Sequence, residues 1–231
     1  MKIYVSSGDV VTPGELVAEG KCEVVGPYFR LDKKLFAKML SIAITSKNSI
    51  RLIPLKRTYI PIEGDIVIGK VIDVNPMSWL VDINSPYNAI LQVSEVFPKP
   101  TTVRRDLSEI LKVGDLLIAK ILSFDLIHDP LLTIKESKLG KVTKGSLVEI
   151  LPSRVSRIIG RKGKVVNMIR KTFSAEIVVG RNGRILVVGK DSDTEGMVAY
   201  IIKKISEESF IEDPVAYTKQ LLDQVKASIG E

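Results

Sequence analysis

The sequence of 231 residues has few side chains that form crosslinks or bind metals: its only cysteine is Cys22 and its only histidine is His128. A single cysteine excludes a disulfide within the chain and is typical of a reducing compartment, so we predict a cytoplasmic location. A lone histidine excludes a multi-histidine metal site and a Ser–His–Asp triad within the chain. Neither an apolar run of about eighteen residues nor the apolar core of a signal peptide is present. The sequence therefore predicts neither a membrane span nor secretion.

Acidic residues are numerous, but they do not converge. Pairs such as Glu207-Glu208, or Asp191 with Asp193, are predicted at helix starts and on exposed faces rather than in one cleft. A two-metal nuclease needs several carboxylates that converge on one site. We therefore predict that the chain is not an enzyme and that it has no catalytic residue, no metal and no cofactor.

Hydrophobic residues make up 45% of the chain and its net charge is +7, which is typical of a soluble globular protein. The length suits two or three domains. Positive charge is concentrated in residues 147–189, which contain nine basic and two acidic side chains. Residues 190–231 contain five basic and nine acidic side chains. The basic segment is therefore the best candidate for contact with a polyanion.

This basic segment contains the motif Gly160-Arg161-Lys162-Gly163. Apolar residues recur at helical spacing on both sides of it: Val155, Ile158 and Ile159 before it, and Val165, Met168, Ile169 and Phe173 after it. Glycines let a phosphodiester approach the main chain, while two cations and a helix start favour negative charge there. The motif therefore predicts a contact with the backbone of a single-stranded nucleic acid.

Three segments precede or contain this motif, and together they predict a multidomain chain of mainly β and α/β structure. Residues 1–60 are predicted to form a small β barrel or sandwich of six short strands, separated by turns such as Pro13-Gly14. Because such a unit has little interior of its own, we expect it to pack on a neighbour or partner.

Residues 62–137 are predicted to form a five-stranded OB barrel from Ile66–Val74, Trp79–Ile83, Ala89–Val93, Leu116–Phe124 and Leu131–Ile134. Gly64-Asp65 and Gly114-Asp115 lead into two of these runs, which indicates two equivalent barrel strands. The polar segment Pro98–Lys112 is predicted to be the long barrel loop.

Residues 146–231 are predicted to fold as strand, helix, glycine loop, helix, two strands and helix, followed by a last helix. The two adjacent strands are Glu176–Val179 and Arg184–Val188, joined by Gly180-Arg181-Asn182-Gly183. Asn-Gly between β-branched runs is a strong hairpin signal, and it predicts positive φ at both residues. The next helix is predicted to be capped by Asp191 or Ser192, and the last to begin at Asp213-Pro214.

The order of these segments resembles known RNA-binding families. The βααββα order around the glycine loop resembles a eukaryotic-type KH domain, and residues 63–136 resemble the S1 domain. A β-rich N-terminal module followed by S1 and KH domains is the arrangement of the RNA-binding cap subunits of the archaeal exosome. The segment Val179–Ile185 also matches a Gly-x-Asn-Gly signature of that family.

The resemblance implies a non-catalytic role in 3′-to-5′ RNA degradation. Three cap subunits would sit on a hexameric ring of two types of RNase-PH-like protein, with the N-terminal module bound to the ring. The cap would capture single-stranded RNA, with adenine-rich 3′ tails as one candidate, and feed it into the ring. Two alternatives stay open: a structural adaptor with little RNA contact, and a ribosome-associated S1–KH factor.

Individual residues receive roles on the same basis. RNA contact is predicted at Gly160, Arg161, Lys162, Gly163, Lys164, Arg157 and Arg170, and in the long barrel loop at Arg104 and Arg105. Gly180, Arg181, Asn182 and Gly183 are predicted to form a structural turn or domain interface, with Arg181 and Arg184 as secondary RNA contacts. For Trp79 and Tyr87 the alternatives are base stacking and packing.

The S1-like segment departs from its family in one respect. Positions that carry aromatic residues and a histidine in many S1 domains align with Met77, Leu80 and Gln92. Because base stacking contributes roughly 1–3 kcal/mol per base, the barrel is predicted to guide the RNA backbone by charge, with little base recognition.

Overall fold

The computed structural model describes residues 2–46, 49–55, 58–97, 107–208, 211 and 213–229, with the side chains of residues 226–229 left out. The chain divides into two compact units, Met1–Arg57 and Thr58–Glu231. Among the described residues, no helix is both long enough and apolar enough to cross a membrane.

The first unit consists of two four-stranded sheets around one core. Its strands are β1 (Lys2–Ile3), β2 (Val10–Val11), β3 (Leu16–Glu19), β4 (Glu23–Val25), β5 (Tyr28–Leu31), β6 (Lys34–Ala37), β7 (Ser41–Thr45) and β8 (Ser49–Pro54). One sheet has the order β1-β3-β6-β5 and the other β2-β7-β8-β4. Val17 and Leu35 of the first sheet and Val11 and Ile50 of the second belong to the same buried cluster. Of the two predicted architectures, the structure has the sandwich.

The sequence did not predict strands β5 and β6. All four residues of β5 are exposed, so no buried face imposes a pattern on this strand. Its sequence, Tyr-Phe-Arg-Leu, does not alternate between apolar and polar residues. The turn between the two strands has Asp32 at φ 53° and contains no glycine or proline. Both signals that normally identify a hairpin are therefore missing.

The second unit begins with a closed five-stranded barrel. Its strands are β9 (Ile66–Asn75), β10 (Ser78–Asp82), β11 (Asn88–Gln92), β12 (Leu116–Ser123) and β13 (Leu131–Thr133), with helix α1 (Val93–Val96) after β11 and a short 3-10 turn at Leu107–Glu109. The barrel closes because β13 pairs with both β11 and β12. All five strands lie where the sequence predicts them, within one or two residues at each end.

The two Gly-Asp sequences occupy equivalent positions in this barrel. Strands β9 and β12 are antiparallel neighbours. The Val71 N–H donates to the carbonyl of Asp115, and the Ile121 N–H donates to the carbonyl of Asp65, both at 2.9 Å. This reciprocal pairing confirms that the repeated sequence marks two equivalent strands.

The remainder of the second unit is a three-stranded sheet with helices on one face. A short strand, β14 (Gly140–Lys141), pairs with β12 and leads into this part. The sheet has the order β15 (Ser146–Glu149), β17 (Arg184–Val188), β16 (Glu176–Val179). The helices are α2 (Val155–Ile159), α3 (Lys164–Phe173), α4 (Ser192–Glu207) and α5 (Pro214–Ile229), with a 3-10 turn at Pro152–Arg154 before α2. Their apolar faces and one face of the sheet form a single core, which includes Ile158, Ile169, Ile177, Ile185 and Ile201.

Helix capping follows the sequence pattern. Asp191 is the N-cap of α4, because its Oδ1 accepts a hydrogen bond from the Thr194 N–H at 2.7 Å. Asp213 plays the same part before α5, where its Oδ1 accepts from the Val215 N–H at 2.9 Å. Of the two predicted caps for α4, the structure therefore has Asp191.

Candidate nucleic-acid interface

The glycine loop connects α2 to α3 and leaves the regular helical conformation at three of its four residues. Gly160 has φ 71° and ψ 174°, Lys162 has φ 53° and ψ 32°, and Gly163 has φ 74° and ψ 13°. Side chains rarely adopt such positive φ angles, so glycine is the suitable residue at both ends. A Cβ atom at Gly160 would also lie 2.6 Å from Cγ2 of Val165, the first buried residue of α3. The loop is therefore tightly bent against the start of α3.

This bend directs its cations into solvent. Arg161, Lys162 and Lys164 are all exposed. Within the described part of the chain, no ion pair or side-chain hydrogen bond holds any of the three. They follow one another at the N-terminal end of the ten-residue helix α3, where the helix dipole also favours an anion. The loop can therefore contact phosphate groups without breaking any interaction that stabilises the fold.

The two other predicted cations on α2 and α3 have structural partners. Arg157 is half-buried and donates to the backbone carbonyl oxygens of Ile205, at 3.4 Å, and Glu208, at the end of α4. Burial, and secondarily the nearby Arg154, lowers the pKa of Arg157. Arg170 is also half-buried and donates to Asn167 Oδ1 at 3.2 Å and to the carbonyl oxygen of Ile177. Both guanidinium groups therefore stabilise the domain, and RNA contact by Arg157 and Arg170 stays a prediction.

The barrel offers little aromatic surface. Trp79 is fully buried, and its indole N–H donates to the carbonyl of Leu111 at 3.1 Å. Tyr87 is half-buried and packs edge-on against Phe124, with ring centroids 4.8 Å apart. Of the two alternatives for these residues, the structure shows packing. Arg104 and Arg105 lie outside the described residues.

At the positions where many S1 domains have binding side chains, the barrel has non-aromatic residues of varied exposure. Met77 is 73% exposed, Gln92 is exposed and Leu80 is half-buried. None of these side chains provides a flat ring on which a base could stack. Weak base recognition at this barrel stays a prediction.

The Gly180–Gly183 turn packs against the barrel, with Asn182 buried in the contact and Arg181 exposed. Asn182 is fully buried, and its Nδ2 donates to the carbonyl oxygens of Ile68 at 2.8 Å and Ile83 at 2.9 Å. Its Oδ1 accepts from the Ile68 N–H at 3.3 Å, and its carbonyl oxygen accepts from Asn84 Nδ2 at 2.8 Å. One asparagine thus satisfies backbone groups that lie about a hundred residues earlier in the chain.

The turn itself differs from the prediction. Gly183 has φ 85°, whereas Asn182 is not among the described residues with positive φ. The Gly183 N–H donates to the carbonyl of Gly180, and the Gly180 N–H donates to that of Arg184. The connection is therefore a three-residue loop that ends in a left-handed glycine, not the two-residue Asn-Gly turn. The additional residue directs the Asn182 side chain toward the barrel.

Arg184 reinforces the same contact. Its guanidinium donates to Asp82 Oδ2 at 2.6 Å, to the Asp82 carbonyl at 2.8 Å and to Glu149 Oε1 at 2.9 Å. Burial alone would lower the pKa of Arg184, but the hydrogen bonds to Asp82 and Glu149 outweigh it and raise the pKa. The side chain is 9% exposed and is paired with both carboxylates, so in this structure it stabilises the contact between the two domains, and its secondary RNA contact stays a prediction. Arg181 is 55% exposed, with its Nε 3.9 Å from Asp65 Oδ1.

Sequence reasoning missed the barrel side of this contact, which consists of Ile68, Asp82, Ile83 and Asn84. No local pattern identifies these residues, because their partners lie 98 to 114 residues away. Asn84, two residues after β10, has φ 53°, but asparagine there is only a general turn signal and does not identify the contact.

No group of three or more histidine, cysteine or carboxylate side chains that could hold a metal ion occurs among the described residues. The functional candidates in this part of the chain are therefore cationic and polar. The exposed cations of the glycine loop can attract and position a polyanion.

Comparison with known proteins supports this organisation. Residues 58–123 match the family described as RRP4, S1 domain, and residues 146–209 match the KH domain family. The exosome complex component Rrp4 of Thermofilum pendens is 47% identical over 233 residues, which cover 99% of this chain and 95% of that protein. The corresponding protein of Pyrococcus abyssi is 37% identical and covers 98% of this chain and 84% of its own length. A crystal structure assigned as an exosome complex RNA-binding protein has 37% identity and a TM-score of 0.70, and covers 76% of this chain and 100% of its own.

A closed OB barrel joined to a βααββα domain with an exposed basic Gly-x-x-Gly loop defines an S1–KH protein. Within that class, the similarity over the full length shows that the chain belongs to the exosome complex component Rrp4 family. The resemblance drawn from the sequence is thereby confirmed, as is the fold class.

Proposed function

We propose that this chain is the non-catalytic cap of a cytoplasmic exosome, which captures single-stranded RNA and passes its 3′ end to a degrading ring. The observation that carries the proposal is the exposed cationic loop at Gly160–Gly163, with Arg161, Lys162 and Lys164 free for phosphate contact in the described structure. The names of its relatives, exosome complex component Rrp4, support the assembly. Three copies on a hexamer of two RNase-PH-like proteins would follow from membership of this family.

Phosphate contact makes a quantitative prediction for the loop. Each phosphate neutralised on a single strand contributes about −0.7 to the slope of log K against log salt. We expect the double variant Arg161→Gln, Lys162→Asn to bind oligoadenylate more weakly and to flatten the slope by about 1.4. Asparagine is chosen for position 162 because it tolerates the positive φ of Lys162.

The matched control is the double variant Lys190→Gln, Lys219→Asn, which removes two exposed lysines from the same unit but not from the loop. Fluorescence anisotropy over a salt series measures both variants. If the loop variant keeps its affinity and slope, or if the control loses as much affinity as the loop variant, the loop does not bind RNA phosphates.

The buried Trp79 and the absence of stacking residues among Met77, Leu80 and Gln92 favour a second candidate function. Here the chain would be a structural adaptor that stabilises the ring and hardly contacts RNA. The assembled complex separates the two, because the loop variant should slow decay of a tailed RNA only if the cap captures it. Unchanged decay, with the cap still retained on the ring, would favour the adaptor.

The non-catalytic role is tested on the isolated chain. We expect the purified protein to leave a labelled RNA intact with and without phosphate and Mg²⁺. Hydrolysis that co-purifies with the chain through ion exchange and gel filtration would overturn this part of the proposal.

A further inference from the structure

A second basic surface lies on the opposite side of the KH sheet from the helices. A cleft of about 700 Å³ separates the outer face of this sheet from the S1 barrel and the segment that connects the two domains. Successive residues of a strand point to opposite faces. Ile185 and Val187 belong to the helix core and do not line the cleft, whereas Val178 and Leu186 line it. The cleft therefore lies on the other face of the sheet from the helix core, and no residue of the glycine loop lines it.

The floor of the cleft is apolar and its rim is cationic. Ile66 and Ile118 of the barrel and Val188 of the sheet complete the apolar floor. The charged side chains that line the cleft are four cations and one carboxylate, Lys138, Lys141, Lys144, Arg170 and Glu176. An apolar floor can bury part of the apolar surface of a nucleotide, although it offers no ring for stacking, and a basic rim can receive phosphates. This combination fits a nucleic-acid strand better than a neutral or cationic ligand.

Two lysines at the rim of the cleft, Lys138 and Lys144, are available to bind phosphate. Lys138 and Lys144 are exposed, and no ion pair or side-chain hydrogen bond engages either within the described residues. Lys141 is instead paired with Asp115 and lies near the Ile110 carbonyl. Two of the rim cations can therefore bind phosphate without disturbing the fold.

The segment that presents these lysines is held in place. Gly140 and Lys141 pair with Ile118 and Leu117 of β12. The Val142 N–H donates to the Leu116 carbonyl at 2.8 Å, and the Leu139 N–H donates to the Glu136 carbonyl at 3.0 Å. A segment fixed in this way presents a preformed surface, so ordering it costs a ligand little conformational entropy.

The cleft also adjoins the domain that carries the glycine loop. Arg170 extends from α3 to the Ile177 carbonyl, at the free edge of the outer strand β16, and its side chain lines the cleft. The edge of β16 therefore separates the helix side of the KH domain from the cleft. A strand that leaves the KH domain over this edge would enter the cleft and reach the barrel.

We propose that this S1–KH cleft is a second RNA subsite, which holds the nucleotides between the KH domain and the barrel. The inference rests on the proposed RNA-capturing function, since it assigns the path of the same strand. A KH domain clamps about four nucleotides. Only a longer RNA can therefore occupy both the glycine loop and the cleft, and RNA length distinguishes the two sites.

The test uses the full chain with oligoadenylates of about four and about twelve nucleotides. We expect the double variant Lys138→Glu, Lys144→Glu to bind the long RNA about tenfold more weakly, because two phosphate contacts are lost. Binding of the short RNA should not change. The matched control Lys190→Glu, Lys219→Glu makes the same change of net charge elsewhere in the unit and should affect neither RNA.

Three results would overturn the subsite. These are unchanged binding of the long RNA, an equal loss for both lengths, and an equal loss in the control, which would indicate only the overall field of the protein. A substitution that makes the rim more positive tests the subsite in the opposite direction. Glu176→Gln removes the one carboxylate among the described residues that line the cleft and should strengthen binding of the long RNA alone.

The glycine-loop variant shows whether the proposed function, and not only the cleft subsite, has failed. If Arg161→Gln, Lys162→Asn leaves the binding of both lengths unchanged, the glycine loop is not the capturing site, whatever the cleft variant shows. Ultraviolet crosslinking of the long RNA gives an independent reading. We expect crosslinked peptides from residues 137–144 as well as from residues 160–163, and crosslinks confined to the loop would contradict the subsite.

Discussion

At the residue scale, arginines of the same basic segment serve different purposes. Arg161 extends into solvent, Arg184 is buried among the carboxylates of Asp82 and Glu149, and Arg157 and Arg170 hold backbone carbonyls. A buried guanidinium is tolerated where carboxylates and carbonyls replace its lost hydration. The net charge of the segment therefore overstates the number of cations available to RNA.

Asn182 carries a residue-scale prediction. Its removal would leave the Ile68 N–H and the Ile83 carbonyl without the partner that Asn182 provides, and the Ile68 carbonyl with only the 3.5 Å hydrogen bond from Arg184 Nη1. We expect Asn182→Ala to lower the free energy of unfolding by about 3 kcal/mol, since each buried group left unpaired costs roughly 1–3 kcal/mol. Urea denaturation measures the change. Asn88→Ala, at an exposed position of β11, is the matched control and should be nearly neutral. Equal effects of the two substitutions would refute the role of Asn182.

At the element scale, the β16–β17 hairpin combines two tasks. One face of its strands completes the KH core, and its turn carries Asn182 into the barrel. A three-residue loop suits this purpose, because the left-handed Gly183 closes the hairpin while Asn182 remains free to extend its side chain. The element therefore joins two domains that are also adjacent in sequence.

Helix α4 gives an element-scale prediction about pH. Hydrogen bonds from the backbone N–H and the hydroxyl of Thr194 lower the pKa of its N-cap, Asp191. A lowered pKa in the folded state means that the stabilisation is present above the unfolded-state pKa and is lost as pH falls through the folded-state pKa. We expect Asp191→Ala to lower Tm at neutral pH and to matter less in acid.

The control for this prediction is Asp191→Asn, which keeps an oxygen acceptor but has no charge to titrate. Its effect on Tm should be smaller and should not vary with pH through the titration of this side chain. If Asp191→Ala lowers Tm by the same amount at neutral and at acid pH, the role assigned to the carboxylate is wrong.

At the scale of the whole molecule, the S1 and KH domains form one compact unit, Thr58–Glu231. The hydrogen bonds of Asn182 and Arg184 cross between them, and these groups are buried. We expect barrel and KH peptides to lose hydrogen-exchange protection together as denaturant is added. In the double variant Asn182→Ala, Arg184→Leu the two domains should lose protection at different denaturant concentrations. Separate transitions in the unsubstituted protein would refute the coupling.

Interactions between residues that are close in sequence determine most of the secondary structure of this chain. Alternating apolar residues and Gly-Asp turns define the barrel strands, helical spacing defines the helices around Gly160–Gly163, and the Asp191 and Asp213 side chains define helix starts. These features depend on neighbours within a few residues, so a single sequence reveals them. The exposed strand β5 shows the limit, because a strand with both faces in solvent leaves no pattern.

Tertiary contacts determine which polar groups of the basic segment are free for RNA and which are used for stability. Asn182 and Arg184 find partners 98 to 116 residues away, and no local spacing indicates such a pairing. The cleft beside Lys138 and Lys144 likewise exists only because β14 holds their segment to the barrel. Local sequence patterns therefore predict most of the elements, their order and the cationic loop, whereas long-range packing determines the burial, and with it the chemistry, of each charge.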